Sequence, residues 1–337
     1  MFVPLQLQVI RMQAPTYQDI QDALPRVHSI LPPTPLIEWP GLSRLTGAKL
    51  FLKHENHQPV GAFKVRGGIN LVSSLTEAER QAGIMGCSTG NHGQSLAFAA
   101  RKYGVKCTIV VPRNNNPDKV EAIRMLGAEI IEAGEDFNEA KQFLEEQLVD
   151  GKRRYVHSAN EPQLIAGVGT QGIEIFDVLP NPDVILVPVG MGSGVCGTGI
   201  VARYMRPQTE VIGVQAENAP ANQLSWKAGT AQTTPTAATW AEGVATRAGA
   251  ELTQQIMRSV LDDFLLVSED DMRIAAYHIL KQTHNLAEGA GAAALAAVLK
   301  HPARFAGKKV VAVLSGGNLN LAELPAILRI GSEQASL

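Results

Sequence analysis

Four short segments carry residues able to do chemistry. The first is GAFKVRGG, residues 61–68. A lone lysine is ordinarily a solvated surface charge. Lys64, however, lies between Phe63 and Val65, with Gly61, Gly67 and Gly68 close by. Apolar neighbours strip water from an amine and lower its pKa, which makes it a nucleophile able to form a Schiff base. Glycines let a bulky ligand approach the backbone.

The second segment is STGNHG, residues 88–93, which runs into the helical pattern QSLAFAARKYG. Free backbone N–H groups at a helix start make an anion site. Ser88, Thr89, Gly90 and Asn91 add small or neutral groups, which suits a carboxylate better than a metal. His92 has no acid or cysteine beside it, and such a histidine more often packs or hydrogen-bonds than catalyses. The third segment is GMGSGVCG, residues 190–197. Backbone N–H groups from Gly190, Met191, Gly192, Ser193 and Gly194 can wrap a phosphate. The absence of lysine rules out a Walker A loop. The same segment holds a G-x-G-x-x-G at Gly192, Gly194 and Gly197, with Glu217 twenty residues further on. That is also the spacing of a dinucleotide-binding fingerprint. The fourth is SGGN, residues 315–318. By itself it reads as a glycine turn, yet Ser315 can offer a neutral hydroxyl.

These segments need elements to position them. CTIVVP (107–112), EIIEAG (129–134), RYVH (154–157), DVILVPV (183–189), TEVIGVQ (209–215) and KKVVAVL (308–314) read as strands. Amphipathic runs between them read as helices. One begins at Asn116–Pro117 as N-cap and first residue and stops at Gly127. Near-continuous apolar strands belong to sheets covered on both faces, and the alternation predicts α/β layers with mostly parallel strands. Ligands of such sheets bind at the carboxyl ends of strands, where the segments after 183–189 and 308–314 fall. Residues 229–245, rich in Thr and Ala with Pro235, are expected to form a long loop on the surface or over the site.

Composition bounds the partners. The chain has 337 residues, 45% of them hydrophobic, and a net charge of −2. That is enough for a sizeable core and is not the basic balance of a nucleic-acid binder. No apolar run reaches the roughly 18 residues of a membrane span, and the N-terminus has no basic start or small-residue cleavage site. Cys87, Cys107 and Cys196 form no C-x-x-C pair. A reducing, cytoplasmic setting without structural zinc is the expectation.

An amine nucleophile, a carboxylate cradle, a phosphate cradle and a neutral hydrogen-bonding partner together suit an amino acid carried on pyridoxal phosphate. From Pro33 to Leu321 the chain resembles the fold-type II pyridoxal-phosphate enzymes, in the serine/threonine dehydratase and serine racemase branch. The resemblance is carried by GAFKVRGG, STGNHGQ, GMGSGVCG, AEGAGAAALAA (287–297) and SGGN, in that order. It implies a tryptophan-synthase-β-like α/β fold with two three-layer units. A larger cofactor-binding unit would comprise 1–81 and 156–337, and a smaller unit, 82–155, would close over the substrate. It implies that Lys64 holds the cofactor as a Schiff base, Phe63 packs on its ring and Asn91 bonds its phenolic oxygen. Gly190 to Gly194 would hold its phosphate, Gly243 would lie along it, and Ser315 would bond its ring nitrogen. Ser88 to His92, with Ala159, would meet the substrate. A homodimer is the implied assembly.

Departures from the family pattern carry information too. Thr89 replaces the serine that acts as second proton donor in racemases. Gln215 and Ala221 stand where that branch has metal-binding acids, so no metal is expected. Ala62 replaces the serine before Phe-Lys, and Met191 and Ser193 replace loop glycines. Ala159 stands where relatives carry Asn or Phe, which suggests room for a larger substituent. The expected reaction is dehydration and deamination of a 3-hydroxy L-amino acid, threonine or serine by default. Alternatives are a bulkier 3-hydroxy amino acid (a phenylserine or a hydroxyectoine-pathway intermediate), a β-replacement synthase or racemase, an NAD-dependent oxidoreductase, and a binding protein without catalysis.

Overall fold

The computed structural model describes residues 13–147 and 152–334. Its strands, in chain order, are β1 (Leu36–Glu38), β2 (Lys49–His54), β3 (Ile84–Cys87), β4 (Cys107–Val111), β5 (Glu129–Glu132), β6 (Arg154–Tyr155), β7 (Val184–Pro188), β8 (Glu210–Ala216), β9 (Asp263–Val267) and β10 (Lys309–Leu314). They form a six-stranded sheet ordered β1-β2-β10-β7-β8-β9 and a four-stranded sheet ordered β5-β4-β3-β6. Every pairing is parallel except β1 with β2. The α/β architecture expected from the alternation is present.

Period-two alternation explains why the larger sheet needs helices on both faces. Val184, Leu186, Val310, Ala312 and Leu314 point into one apolar cluster, shared with the alanine-rich helix Gly289–Lys300. Ile185, Val187, Val311 and Val313 point into the opposite cluster, shared with helices Pro162–Val178 and Ser193–Met205. The smaller sheet does the same: Ile84, Cys107 and Ile109 face one cluster, Met85, Cys87 and Val110 another.

The six strands read from sequence are all found, within a residue or two at their ends. The helix Pro117–Met125 has Asn116 as its N-cap, the side chain accepting from the Asp118 N–H at 2.9 Å. β1, β2, β3 and β9 were not read from the sequence. β2 ends in Lys53 and His54, polar types that are fully buried here, and β3 is four residues long with a glycine inside it. A further finding concerns the Lys64 helix. Val65, Ile69, Leu71 and Val72 lie in a cluster that joins Ile84, Cys107 and Ile109 of the four-stranded sheet to Val27, Leu31 and Leu164. Gly68 allows this, because a Cβ there would come within 2.6 Å of the Ser95 carbonyl oxygen on helix Asn91–Tyr103.

Candidate active site

The ends of both sheets open on one cavity of about 1640 Å³. Its wall includes Phe63, Lys64, Ser88 to His92, Gly190 to Gly194, Gly243 and Ser315. Four segments distant in sequence therefore converge. The loop after residue 229 lies over this cavity, with Thr233, Thr234, Pro235, Ala237 and Thr239 in its wall.

Lys64 caps the helix Val65–Ser73, and its position is set from three sides. The Phe63 N–H donates to the Ser315 carbonyl at 3.0 Å, and the Gly317 N–H donates to the Gly61 carbonyl at 2.9 Å, so this strip is zipped to the SGGN loop. The Ser95 hydroxyl donates to the Lys64 carbonyl at 2.6 Å. The Lys64 amine then reaches Ser193, donating to its hydroxyl at 3.1 Å, and lies 5.2 Å from the centre of the Phe63 ring. Burial pulls its pKa down to about 8, the direction expected from its neighbours.

The glycine loop precedes a thirteen-residue helix, Ser193–Met205. Gly192 has φ +97°, a left-handed conformation natural to glycine. Among the described residues, no acceptor meets the backbone N–H groups of Gly190, Met191, Gly192, Ser193 or Gly194. Five free donors at a helix start define an anion cradle. A Cβ on Gly194 would lie 3.3 Å from the Phe63 ring, and one on Gly190 would overlap the Gly243 carbonyl oxygen at 2.1 Å. The absence of side chains keeps this wall open and tightly joined. The amine, the donors and the ring beside them fit pyridoxal phosphate: an aldehyde, a phosphate and a flat aromatic ring.

The 88–92 loop is built differently from its sequence-level reading. The Ser88 hydroxyl is turned onto its own loop, accepting from the N–H groups of Gly90 at 3.1 Å and Gly93 at 2.9 Å. It shapes the helix start rather than pointing a free donor into the cavity. The N–H groups of Thr89, Asn91 and His92 meet no acceptor among the described residues, so the donors come from backbone. The His92 imidazole is buried, and its Nε2 has no hydrogen-bond partner among the described residues. Burial, with the Lys64 charge nearby and against a backbone hydrogen bond to Val156, brings its pKa down to about 3. It is a neutral packing group.

Two readings need correction. Ala159 is buried and off the cavity wall, while its neighbours Ser158 and Asn160 are on it. The His157 Nδ1 accepts the N–H groups of both Ala159 and Asn160 at 3.0 Å, and this tight turn carries the alanine inward. The dinucleotide fingerprint also comes apart. A Cβ on Gly197 would meet the Gly169 backbone at 2.7 Å, so this glycine serves helix–helix packing. Glu217 is ion-paired with Lys300 and is not on the cavity wall.

The sequence reading missed two residues that complete the site. Asn91 donates from Nδ2 to Glu288 at 2.7 Å, and its Oδ1 accepts from Asn318 at 2.8 Å. Glu288 lies at the start of AEGAGAAALAA; an acid opening an otherwise apolar run was the available signal. The positions of the branch's metal acids are otherwise employed: the Gln215 amide bonds Thr246 and the Gln223 N–H, and Ala221 is buried.

This fold and site define a class. The family described as pyridoxal-phosphate dependent enzyme matches residues 28–316, and the chain belongs to that family. Among its relatives is the L-threonine ammonia-lyase of Thermotoga maritima, 37% identical over 316 residues, 94% of this chain and 79% of the relative. Another is the catabolic L-threonine dehydratase TdcB of Escherichia coli strain K12, 35% identical over 281 residues, 83% of this chain and 85% of the relative. The crystal structure of a T.th. threonine deaminase superimposes with a TM-score of 0.86 at 32% identity, covering 91% of this chain and 99% of that one. Serine racemase from Dictyostelium discoideum gives 0.84, also at 32% identity with the same coverage. The resemblance read from the motifs holds.

Proposed function

We propose that this enzyme eliminates water from a 3-hydroxy L-amino acid, threonine or serine, to give an enamine that water then hydrolyses to a 2-oxo acid and ammonia. The observation that carries the reading is the Lys64 amine, lowered in pKa and facing the cavity between the glycine loop and the 88–92 loop. The names of the relatives agree with it. Pyridoxal phosphate, when bound, supplies the electron sink that makes the α-proton of the amino acid removable.

The chain's own residues do the rest. The free N–H groups of Gly190 to Gly194 hold the phosphate, and Phe63 and Gly243 line the ring. Asn91 would donate to the phenolic oxygen from the N–H that Glu288 leaves free. Ser315, on the cavity wall, would offer the ring nitrogen a neutral hydroxyl rather than a carboxylate. The N–H groups of Thr89, Asn91 and His92 hold the substrate carboxylate. Lys64 takes the α-proton once its amine is free. Residues 82–155, which contain the four-stranded sheet, act as the smaller unit that closes over the substrate. The assembly is a homodimer in the cytoplasm; light scattering measures the former.

Purified protein loaded with pyridoxal phosphate tests the reading. Lys64→Ala is expected to lose the visible band of the lysine-linked cofactor and at least roughly a thousandfold in ammonia release. A variant with full activity would falsify the assignment. A second reading, a bulkier 3-hydroxy amino acid such as phenylserine, has one observation in its favour: the cavity continues beyond the 88–92 loop to Phe137 and Tyr155. Ammonia release from threonine, serine and phenylserine in parallel decides between them, and added thiol exposes any β-replacement.

A further inference from the structure

Glu288 is a carboxylic acid where the proposed reaction has no stated use for one. It opens helix Gly289–Lys300, and its own N–H donates to the Gly316 carbonyl at 3.2 Å. Gly316 leaves room for it: a Cβ there would sit 2.3 Å from Oε1. Oε1 accepts from Asn91 Nδ2 at 2.7 Å, and Glu288 also lines the main cavity. Glu288 also lines a side cavity of about 20 Å³, together with Lys119, Glu242 and Asn318, with room for one water.

The geometry around Asn91 fixes more than its place. A carboxamide has one acceptor oxygen and two N–H donors. Asn318 donates to the oxygen at 2.8 Å and is itself held by the Val60 carbonyl at 2.8 Å. Glu288 takes one of the two N–H groups, leaving the other for the cavity. Turning the amide over would set oxygen against carboxylate and nitrogen against nitrogen, so the frame admits one orientation.

We propose that Glu288 is the ionisable positioning residue of this site: with Asn318 it holds Asn91 as a donor toward the cavity, and its charge decides how readily an anionic ring oxygen is held there. The inference rests on the reading that this cavity holds pyridoxal phosphate. Among the described residues, two charged groups face Glu288. Lys119, from helix Pro117–Met125, favours its ionised form, and Glu242, from the turn Glu242–Val244, opposes it; these two pair with each other at 2.5 Å. The glycines of the SGGN loop carry no charge, and His92 is neutral. Burial outweighs Lys119 and the Asn91 hydrogen bond and pushes the carboxyl up to about 7. It therefore changes charge within the working range of a neutral-pH enzyme. Below that point the uncharged acid tolerates an anionic neighbour; above it the carboxylate repels one.

Absorbance of the cofactor-loaded protein from about pH 5 to about pH 9, roughly two units either side of the acid, reads this out. The affinity of cofactor-free protein for pyridoxal phosphate is measured alongside. The wild-type band is expected to change with a midpoint near that of the acid. Glu288→Gln keeps an acceptor for Asn91 but cannot ionise, so its band is expected to lose that transition while the cofactor stays bound. Glu288→Ala and Asn318→Ala each release one end of the amide and are expected to weaken cofactor binding about tenfold. Superimposable absorbance curves for wild type and Glu288→Gln would overturn the role of the charge. Unchanged affinity in both alanine variants would overturn the role in positioning, and Asn318→Ala keeps that arm readable if Glu288 variants do not fold. A wild-type protein that shows no lysine-dependent band at all overturns the cofactor reading instead, so the two failures are distinguishable.

Discussion

Lys64 is set apart by where its last atoms lie, not by its residue type. A solvated lysine is almost wholly protonated at neutral pH; here burial favours the neutral amine. The sign of the effect is testable. In cofactor-free protein, modification of Lys64 by an amine-selective reagent should rise with pH through a midpoint of about 8, against 10.5 for an ordinary lysine. Mass spectrometry of the peptide containing Lys64 measures this site by site, and a midpoint near that of the other lysines would contradict the burial argument. Ser88 and Ala159 show how residue type misleads at this scale. A hydroxyl and a methyl group both stood at plausible places in sequence; the fold turns the first onto its own loop and moves the second off the wall. His92 is instead the packing group that its lack of an acid or cysteine neighbour suggested.

Helices begin at the two loops proposed as anion cradles, and their packing depends on glycines away from those loops. Helices Pro162–Val178 and Ser193–Met205 touch where Gly169 faces Gly197. A Cβ at 197 would come within 2.7 Å of the Gly169 Cα and 2.8 Å of the Ile165 carbonyl oxygen. Backbone cannot yield as a side chain can. Gly197→Ala is therefore expected to destabilise the fold by about 1–3 kcal/mol, read from denaturant unfolding. It should also weaken cofactor binding, because the phosphate cradle begins this same helix. A variant as stable as wild type would show that the helices can part at no cost. Two features, a turn glycine at Gly192 and a packing glycine at Gly197, thus share one motif that resembles a nucleotide fingerprint.

Across the whole molecule, a buried ionic cluster ties the Lys64 helix to the larger sheet. Arg66 donates to Glu55 at 2.7 and 2.8 Å and to Glu174 at 2.6 and 2.7 Å. Lys53 on β2 bonds the same Glu174, and all four side chains are buried. Two positive and two negative charges balance, so removing one leaves another unpaired in a dry interior. Arg66→Met is expected to cost about 3–5 kcal/mol of stability, measured by denaturant unfolding. The acid limb of stability has a definite sign as well. Burial alone would raise the Glu174 carboxyl, but Arg66 and Lys53 overcome it and hold it down at about 2, against 4.5 for a free side chain. Its contribution is present above the unfolded value and is lost as pH falls from there toward 2. Glu174→Gln should flatten that limb, and an unchanged acid profile would remove the cluster from the account.

The chemistry-bearing segments, the α/β alternation and six of the strands were legible along the chain, because they depend on local pattern: period-two apolar runs, caps, and glycines next to a nucleophile. So were the apolar neighbours of Lys64 and the glycine-rich character of the 190–194 loop. Which atoms face the cavity was settled by packing. β2 was hidden because Lys53 and His54 read as solvent-facing types, yet partners 121 residues away make burial of Lys53 possible. Glu288 left a local signal as an acid opening an apolar run, but its role was hidden because its partner Asn91 is 197 residues distant. A charge is tolerated inside a protein only through groups that the fold brings to it, and such pairings leave no mark in local periodicity. Segment identity is therefore a property of the chain, whereas the orientation of each polar group belongs to the packed molecule.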